Sequence, residues 1–168
     1  MTDSSKQFLQ LIQANKGIIY KIANSYCRNR DDREDLAQEI IYQLWKSWHG
    51  FDERFKFSTW MYRIALNVAI SFYRSQRTYQ TAVSIDEQQA EALANEEGTE
   101  TEEQLLQLQQ FIQELKELDR ALMILYLEEK TYREMADILG ISETNVATKI
   151  SRIKDQLKQR FTQMGANA

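Results

Sequence analysis

The run Thr131-Tyr-Arg-Glu-Met-Ala-Asp-Ile-Leu-Gly-Ile-Ser142 carries the clearest structural signal in this chain of 168 residues. Thr131 and Glu134 have the spacing of a capping box, in which the two side chains bond the free N–H groups at the start of a helix. Gly140 is a typical C-terminal stop, and Ser142 is a typical cap for a following helix. A short helix, a tight turn and a second helix predict a helix-turn-helix, whose second helix enters the DNA major groove.

The helix predicted after Ser142 has an apolar face and a polar face. The apolar stripe consists of Val146, Ile150, Ile153 and Leu157. The outward face carries Thr144, Asn145, Thr148, Lys149, Ser151 and Arg152. Residues 145–160 include five basic side chains and one acidic side chain. An ordinary helical hairpin is the alternative, but the cap, alanine and glycine spacing favours a DNA-reading helix.

The rest of the chain is predicted to be helical as well, giving an all-α fold. The sequence has no proline and only five glycines, so it lacks the punctuation that short strands need. Apolar residues recur at helical spacing in 8–28, 32–48, 59–79, 105–115 and 118–127. We expect Ser58 or Thr59 to cap the third of these helices and Asp119 to cap the fifth.

Charge divides the chain into two small helical domains joined by a flexible acidic linker. Residues 1–80 carry twelve basic and eight acidic side chains, whereas residues 81–103 carry no basic and eight acidic ones. The acidic segment has almost no large apolar residue and cannot bury enough surface to offset the cost of ordering it. The sequence therefore predicts domains at 1–80 and 104–168.

The second predicted helix presents a polar face with two acidic residues one turn apart. This face holds Asp35, Gln38, Glu39, Tyr42 and Lys46. Asp35 and Glu39 are like charges at i and i+4, which destabilises an isolated helix slightly. The face is either an ordinary solvated one or a surface for a basic partner.

Residues 54–85 contain five basic side chains, seven aromatic ones and no acidic one. Cations follow a phosphate backbone and aromatic rings stack on unpaired bases, so this mixture suits an opened nucleic-acid strand. A half-buried helix with a solvated basic face is the alternative. Trp60 and Phe72 lie at core spacing, whereas Phe55, Phe57 and Tyr62 are the aromatic candidates for ligand contact.

Catalysis, metal binding and membrane insertion are not indicated. His49 and Cys27 are the only histidine and cysteine, so neither a zinc site nor a disulfide can be completed within the chain. No segment has the apolar length of a membrane span or of a signal peptide. We expect a cytoplasmic protein that is not an enzyme, needs no cofactor and is a monomer when free.

Three motif segments together resemble the bacterial RNA polymerase sigma factors, most closely the small extracytoplasmic-function (ECF) group. They are Asp32-Arg-Glu-Asp-Leu-Ala-Gln-Glu-Ile-Ile-Tyr-Gln-Leu-Trp45, Phe57-Ser-Thr-Trp-Met-Tyr-Arg-Ile-Ala-Leu-Asn-Val-Ala69 and the run at 131–142. The ordered set spans nearly the whole chain and is far more specific than one motif alone. The resemblance implies a subunit that binds core RNA polymerase, directs promoter recognition and DNA melting, and starts transcription.

The resemblance also implies a role for each motif. The residues that would bind the β′ clamp of the polymerase are Asp35, Leu36, Gln38, Glu39 and Tyr42. The residues for the minus-ten element are Phe57, Ser58, Thr59, Arg63, Asn67, Arg74 and Arg77. The helix-turn-helix would read the minus-thirty-five element through Thr144, Asn145, Thr148, Lys149, Ser151 and Arg152. The linker would thread the RNA exit channel of the polymerase, and the β flap and an anti-sigma factor are further expected partners.

A free-standing helix-turn-helix regulator is the main alternative to this interpretation. It explains the C-terminal domain. It leaves the Asp35 and Glu39 face, and the basic aromatic helix, without a function.

Overall fold

The computed structural model describes residues 2–80 and 99–166, and within these residues every regular element is a helix. The α-helices are α1 (Asp3–Tyr26), α2 (Arg30–Ser47), α3 (Phe57–Gln80), α4 (Glu100–Glu114), α5 (Glu117–Leu127), α6 (Tyr132–Leu139) and α7 (Glu143–Ala166). A single 3₁₀ turn, Trp48–Gly50, follows α2. The predicted all-α class is confirmed.

The acidic segment predicted as a linker falls in two parts. Residues 81–98 lie outside the described residues. Residues 100–103 form the start of α4, and Thr99 is its N-cap residue. The Thr99 side chain accepts a hydrogen bond from the Glu102 N–H at 3.3 Å, and the Glu102 carboxylate accepts one from the Thr99 N–H at 3.2 Å. This capping box starts the helix five residues before the predicted 105.

The helices α1, α2 and α3 surround one apolar core. Its fully buried side chains include Ile19, Ile22, Leu36, Ile40, Leu44, Met61 and Leu66. Asn29 is the N-cap residue of α2, and its side chain accepts a hydrogen bond from the Asp32 N–H at 2.7 Å. Trp45 is 43% exposed, and its ring centroid lies 5.1 Å from that of Phe8 at the edge of the core, with the two rings tilted by 59°.

The C-terminal half contains the predicted helix-turn-helix, formed by α6 and α7. The Thr131 side chain accepts from the Glu134 N–H at 3.1 Å, and the Glu134 carboxylate accepts from the Thr131 N–H, which lowers the pKa of Glu134. Gly140 ends α6 in the left-handed conformation with φ 70°. The Ser142 hydroxyl accepts from the Asn145 N–H at 3.1 Å at the start of the next helix. Local sequence signals therefore specify this unit directly.

Gly140→Ala is expected to destabilise the chain by about 1 kcal/mol, because the Cβ of an alanine lies too close to the following carbonyl oxygen in the left-handed conformation. A Cβ at Gly140 would meet no atom within 4 Å, so the cost is backbone strain alone. Gly17 also has open space around it but lies inside α1. Gly17→Ala is therefore a control of opposite sign, stabilising by about 0.5–1 kcal/mol. Denaturant unfolding monitored by circular dichroism measures both, and a stabilising Gly140→Ala would contradict this account.

Three expectations about helix starts and exposure were wrong. Ser58 and Thr59 lie inside the first turn of α3, which begins at Phe57, so neither caps it. Asp119 lies in the first turn of α5, and the cap position belongs to Lys116, which makes no side-chain cap bond. Tyr62 is only 2% exposed and is a core residue, so it does not present its ring to a ligand.

Candidate functional site

The outward side of α2 presents most of the predicted polymerase-binding residues. Asp35, Gln38, Glu39 and Tyr42 are all exposed, with Tyr42 at 54%. The Gln43 amide donates to a Glu39 carboxylate oxygen at 3.0 Å. We call Asp35, Gln38, Glu39 and Tyr42 the acidic face.

Leu36, predicted as a polymerase contact, is fully buried in the core below the acidic face. The prediction is corrected for this residue, because a side chain with no exposed surface supports the helix rather than touching a partner. Lys46 lies 5.5 Å from the centroid of the Tyr42 ring. This cation packs at the edge of the acidic face, on the side of α2 where the helical spacing predicts it.

The helix α3 presents exposed polar side chains along one side. Arg63, Asn67 and Arg74 are exposed, whereas Ser58 and Thr59 in the first turn are half-buried. The Arg74 guanidinium donates to a Glu117 carboxylate oxygen at 3.0 Å. We call Ser58, Thr59, Arg63, Asn67 and Arg74 the strand face. The side chain of Arg77 lies outside the described residues.

Phe57 belongs to an aromatic cluster below the start of α3. Its ring centroid lies 5.7 Å from that of Phe51 and 5.5 Å from that of Trp60, and Phe51 stacks on Trp48 at 5.4 Å. Phe57 is half-buried, so packing occupies much of its ring. Phe55, in the loop before α3, is 65% exposed and is the aromatic side chain there that remains available for stacking.

The loop before α3 is held by an ion pair between neighbours. The Arg54 guanidinium donates to Asp52 at 2.6 Å, and the Arg54 backbone N–H donates to the same carboxylate at 3.0 Å. These bonds lower the pKa of the Asp52 carboxyl. Arg54 is exposed and Asp52 is half-buried, and the pair fixes the turn that presents Phe55.

The helix α7 presents the residues predicted for the major groove. Thr144, Asn145, Thr148, Ser151 and Arg152 are exposed, and Lys149 is half-buried. Beneath them Val146, Ile150 and Ile153 are fully buried, and Leu157 is half-buried at the end of the stripe. We call the six outward residues, Thr144, Asn145, Thr148, Lys149, Ser151 and Arg152, the groove face.

Two contacts beside the groove face escaped the sequence pattern. Lys154 lies 4.4 Å from the centroid of the Tyr126 ring, and its hydrogen bond to the Tyr126 hydroxyl raises the pKa of the ammonium. An Arg152 guanidinium nitrogen lies 3.8 Å from an Asp119 carboxylate oxygen. Pairs across helices far apart in sequence carry no periodic signal, so spacing alone cannot find them.

Cys27 is a buried residue at the end of α1, as expected for a small core side chain. Burial, followed by the charge of Asp32, raises the pKa of its thiol from 9.0 to about 12. Among the residues described, no three His, Cys, Asp or Glu side chains come together as a metal site. None of the described helices is both long and apolar enough to cross a membrane.

Alkylation of Cys27 in the native chain is expected to be slower by about two to three orders of magnitude than in the unfolded chain, because the thiolate is the reactive form. Iodoacetamide labelling at pH 8, with and without denaturant, followed by mass spectrometry, measures the two rates. Equal rates in both conditions would contradict the buried, protonated state of Cys27.

Comparison with known proteins matches two successive segments of the chain to two families. Residues 11–79 match the Sigma-70 region 2 family and residues 105–157 match the Sigma-70, region 4 family. The RNA polymerase sigma factor YlaC of Bacillus subtilis is 30% identical over 139 residues, covering 77% of each chain. The ECF RNA polymerase sigma factor SigW of the same organism is 27% identical over 165 residues, covering 92% of this chain and 88% of SigW.

A solved structure shares the fold over nearly the full length. The sigma factor RpoE of Bartonella quintana, crystallised with the anti-sigma factor NepR, superposes with a TM-score of 0.68 at 19% sequence identity. The match covers 94% of this chain and 98% of RpoE. A likeness at this identity supports the fold alone.

The helix-turn-helix, the three-helix unit before it and the order of the two regions define the sigma-70 class of RNA polymerase subunit. The chain belongs to the ECF group of that class. It is a sigma factor, which binds core RNA polymerase and directs promoter recognition and transcription initiation.

Proposed function

We propose that this sigma factor binds its partners through three separate surfaces, the acidic face, the strand face and the groove face. One observation supports the proposal. Three chemically different surfaces are presented to solvent, each on a helix whose other side packs in a buried core. The acidic face would bind the β′ clamp of core RNA polymerase. The strand face would hold the melted minus-ten element, and the groove face would read the minus-thirty-five element as duplex.

The acidic face suits a basic partner on electrostatic grounds. Asp35 and Glu39 are exposed like charges one turn apart, an arrangement that a cationic partner relieves. Gln38 adds an amide donor and acceptor, and Tyr42 adds an exposed ring beside them. Leu36, buried below, fixes the helix that presents these groups.

The strand face suits a single strand rather than a duplex. Arg63 and Arg74 supply cations for phosphates, and Asn67 supplies an amide for a base edge. Phe55 offers an exposed ring for stacking on unpaired bases, and we propose this role for Phe55 together with the half-buried Phe57. The half-buried Ser58 and Thr59 contribute hydroxyls at the start of the same helix.

The groove face suits the major groove of duplex DNA. Arg152 provides a planar fork for guanine or phosphate, whereas Lys149 provides a point charge without that fork. The small polar side chains Thr144, Asn145, Thr148 and Ser151 complete the groove face, of whose six residues none is acidic. The helix-turn-helix domain would also contact the β flap of the polymerase.

The proposal extends to cellular context. We propose a cytoplasmic monomer that performs no catalysis of its own and needs no cofactor. RpoE of Bartonella quintana is crystallised with an anti-sigma factor, and we propose that an anti-sigma factor also controls this chain.

DNA binding with and without core RNA polymerase tests the proposal. We expect weak binding of promoter fragments by the chain alone and strong binding by its complex with the polymerase. The measurement is an electrophoretic mobility shift on fragments selected from bacterial genomic DNA by the complex. Tight binding to palindromic duplexes by a dimer, without polymerase, would contradict the proposal and favour a free-standing regulator.

A further inference from the structure

The helix α5 packs against α7 and contacts a cation on each side of it. Ile153 of α7 is fully buried, whereas its two neighbours in sequence, Arg152 and Lys154, are exposed. Successive residues of an α-helix are about 100° apart around its axis, so these neighbours leave α7 on opposite sides of Ile153. One cation therefore lies along each edge of the surface that α7 presents to solvent.

Each of these cations contacts a side chain of α5. An Arg152 guanidinium nitrogen lies 3.8 Å from an Asp119 carboxylate oxygen. The Lys154 ammonium lies 4.4 Å from the Tyr126 ring centroid and donates a hydrogen bond to the Tyr126 hydroxyl. Asp119 and Tyr126 are seven residues apart on one side of α5, which is about 10 Å along the helix axis. One rigid helix thus anchors both cations at a fixed separation.

The anchoring side chains are more enclosed than the cations they hold. The Asp119 side chain is 16% exposed, against 55% for that of Arg152. Tyr126 is half-buried and Lys154 is exposed. Because an arginine has five N–H donors and a lysine has three, a contact with α5 leaves donors of each cation for another ligand.

The separation of the two anchors fits the major groove of DNA. That groove is about 12 Å wide and accepts one α-helix, and contacts to its phosphates fix the register of the helix. With the groove face inserted, Arg152 lies towards one wall of the groove and Lys154 towards the other. Lys154 is not among the six residues that the sequence predicted for this role.

Anchoring changes the cost of binding because free arginine and lysine side chains are flexible. Immobilising one such side chain at an interface lowers affinity by about two- to tenfold. Asp119 and Tyr126 restrict the two cations before DNA arrives, so less freedom is lost on binding. The negative charge of Asp119 repels phosphates, which favours a role in orienting Arg152 over a role in attracting DNA.

We propose that Asp119 and Tyr126 are positioning residues for promoter reading, in which Asp119 orients Arg152 towards a base edge and Tyr126 orients Lys154 towards a phosphate of the opposite wall. The inference rests on the proposed reading of the minus-thirty-five element by the groove face. It adds Lys154 as a phosphate contact, and it gives α5 a part in sequence discrimination.

Competition binding by the complex of the chain with core RNA polymerase tests the role of Asp119. The probes are a promoter fragment that the complex selects from genomic DNA and variants of it with one base pair changed in the minus-thirty-five element. Asp119→Asn should reduce discrimination at one base pair by at least about threefold, because an oriented arginine discriminates by about fivefold or more. Affinity for an unrelated duplex should not fall, since a negative charge near the phosphates is removed. A destabilised helix-turn-helix would weaken binding to both kinds of duplex.

A second substitution shows whether Asp119 acts through Arg152. In a chain that already carries Arg152→Gln, Asp119→Asn should have no further effect on discrimination, because the group that it orients is gone. The matched control is Asp137→Asn, the same change at an exposed position of α6, which should discriminate like the wild type. Additive losses from Asp119→Asn and Arg152→Gln, or an equal loss in the control, would overturn the proposal.

The salt dependence of binding tests the role of Tyr126. Lys154→Gln should reduce the slope of log affinity against log salt concentration by about 0.9, and it should weaken binding to all fragments equally. Tyr126→Phe keeps both the ring and the charge, so it should lower affinity by at least about twofold without changing the slope. It should have no further effect after Lys154→Gln. Lys16→Gln and Tyr20→Phe, at exposed positions of α1, are the controls. An unchanged slope in Lys154→Gln, or additive losses, would overturn the proposal.

Two further measurements keep these outcomes distinct. Helical circular dichroism of every variant should match that of the wild type. If Asp119→Asn unfolds the chain, the substitutions of Tyr126 and Lys154 decide the proposal by themselves. A wild-type complex that binds its selected fragment no better than the single-base-pair variants would refute the proposed function, and this inference with it. Wild-type discrimination that Asp119→Asn leaves unchanged would refute the positioning role alone.

Discussion

Replacing both Asp35 and Glu39 with alanine should weaken binding of the chain to core RNA polymerase by at least about 30-fold. Removing one side of a desolvated charge pair at an interface costs about 2–5 kcal/mol, because the partner charge is left without compensation. Both residues are exposed, and removing like charges at i and i+4 relieves repulsion within α2. The fold should therefore be unaffected. Titration of a fluorescently labelled chain with core polymerase measures the affinity.

The control for this variant is Glu53→Ala with Asp155→Ala, which removes two exposed acidic side chains elsewhere in the chain. The control carries the same change in net charge, so it separates a specific contact from a general electrostatic effect. If both double variants lose affinity equally, the acidic face is not the polymerase contact.

Replacing Arg63 and Asn67 with alanine should leave polymerase binding within about threefold of the wild type and reduce promoter opening by at least about tenfold. The reason is that hydrogen bonds to charged groups such as phosphates are worth about 1.5–3 kcal/mol each, whereas the acidic face remains intact. Permanganate reactivity of unpaired thymines in the minus-ten region measures the opening directly.

The matched control is Arg30→Ala with Asn24→Ala, which removes an exposed arginine and an exposed asparagine outside the strand face. It should open promoters like the wild type. A strand-face variant that loses polymerase binding, or that opens promoters normally, would contradict the assignment of polymerase binding to α2 and of promoter opening to α3.

The helix-turn-helix was predictable because its determinants are local. Thr131, Glu134, Gly140 and Ser142 act on backbone groups within four residues of themselves, and the structure confirms each of those contacts. The start of α3 was predicted less well. Ser58 and Thr59 can both cap a helix, but α3 begins at Phe57, two residues before the predicted 59, where the Phe57 ring packs in the aromatic cluster.

Exposure at the edge of a helix face was the second source of error. Leu36 sits next to Asp35 in sequence but is fully buried, and Phe57 lies beside an exposed loop but packs against Phe51 and Trp60. A motif gives residue order, whereas exposure depends on which neighbouring elements cover each side chain. The residues of the three faces therefore remain predictions about contacts.

The contact between the halves could not be predicted from the sequence. Arg120 meets Tyr26, Tyr73 and Ser25, which lie far away along the chain in other helices. In the sequence Arg120 lies beside two acidic residues, Glu117 and Asp119, at the start of a helix whose remainder is largely apolar, and this pattern fits a solvated helix end equally well. Only the three-dimensional packing places it among two rings and four carbonyl groups.

Reconstituted transcription with purified core RNA polymerase tests the central claim most directly. The measurement is sequencing of transcripts made from a pool of bacterial genomic templates, with and without the chain. We predict transcripts that begin at a defined set of start sites, each preceded by shared minus-ten and minus-thirty-five sequences, and only when the chain is present. The same transcripts in its absence, or no chain-dependent start sites at all, would contradict its function as a sigma factor.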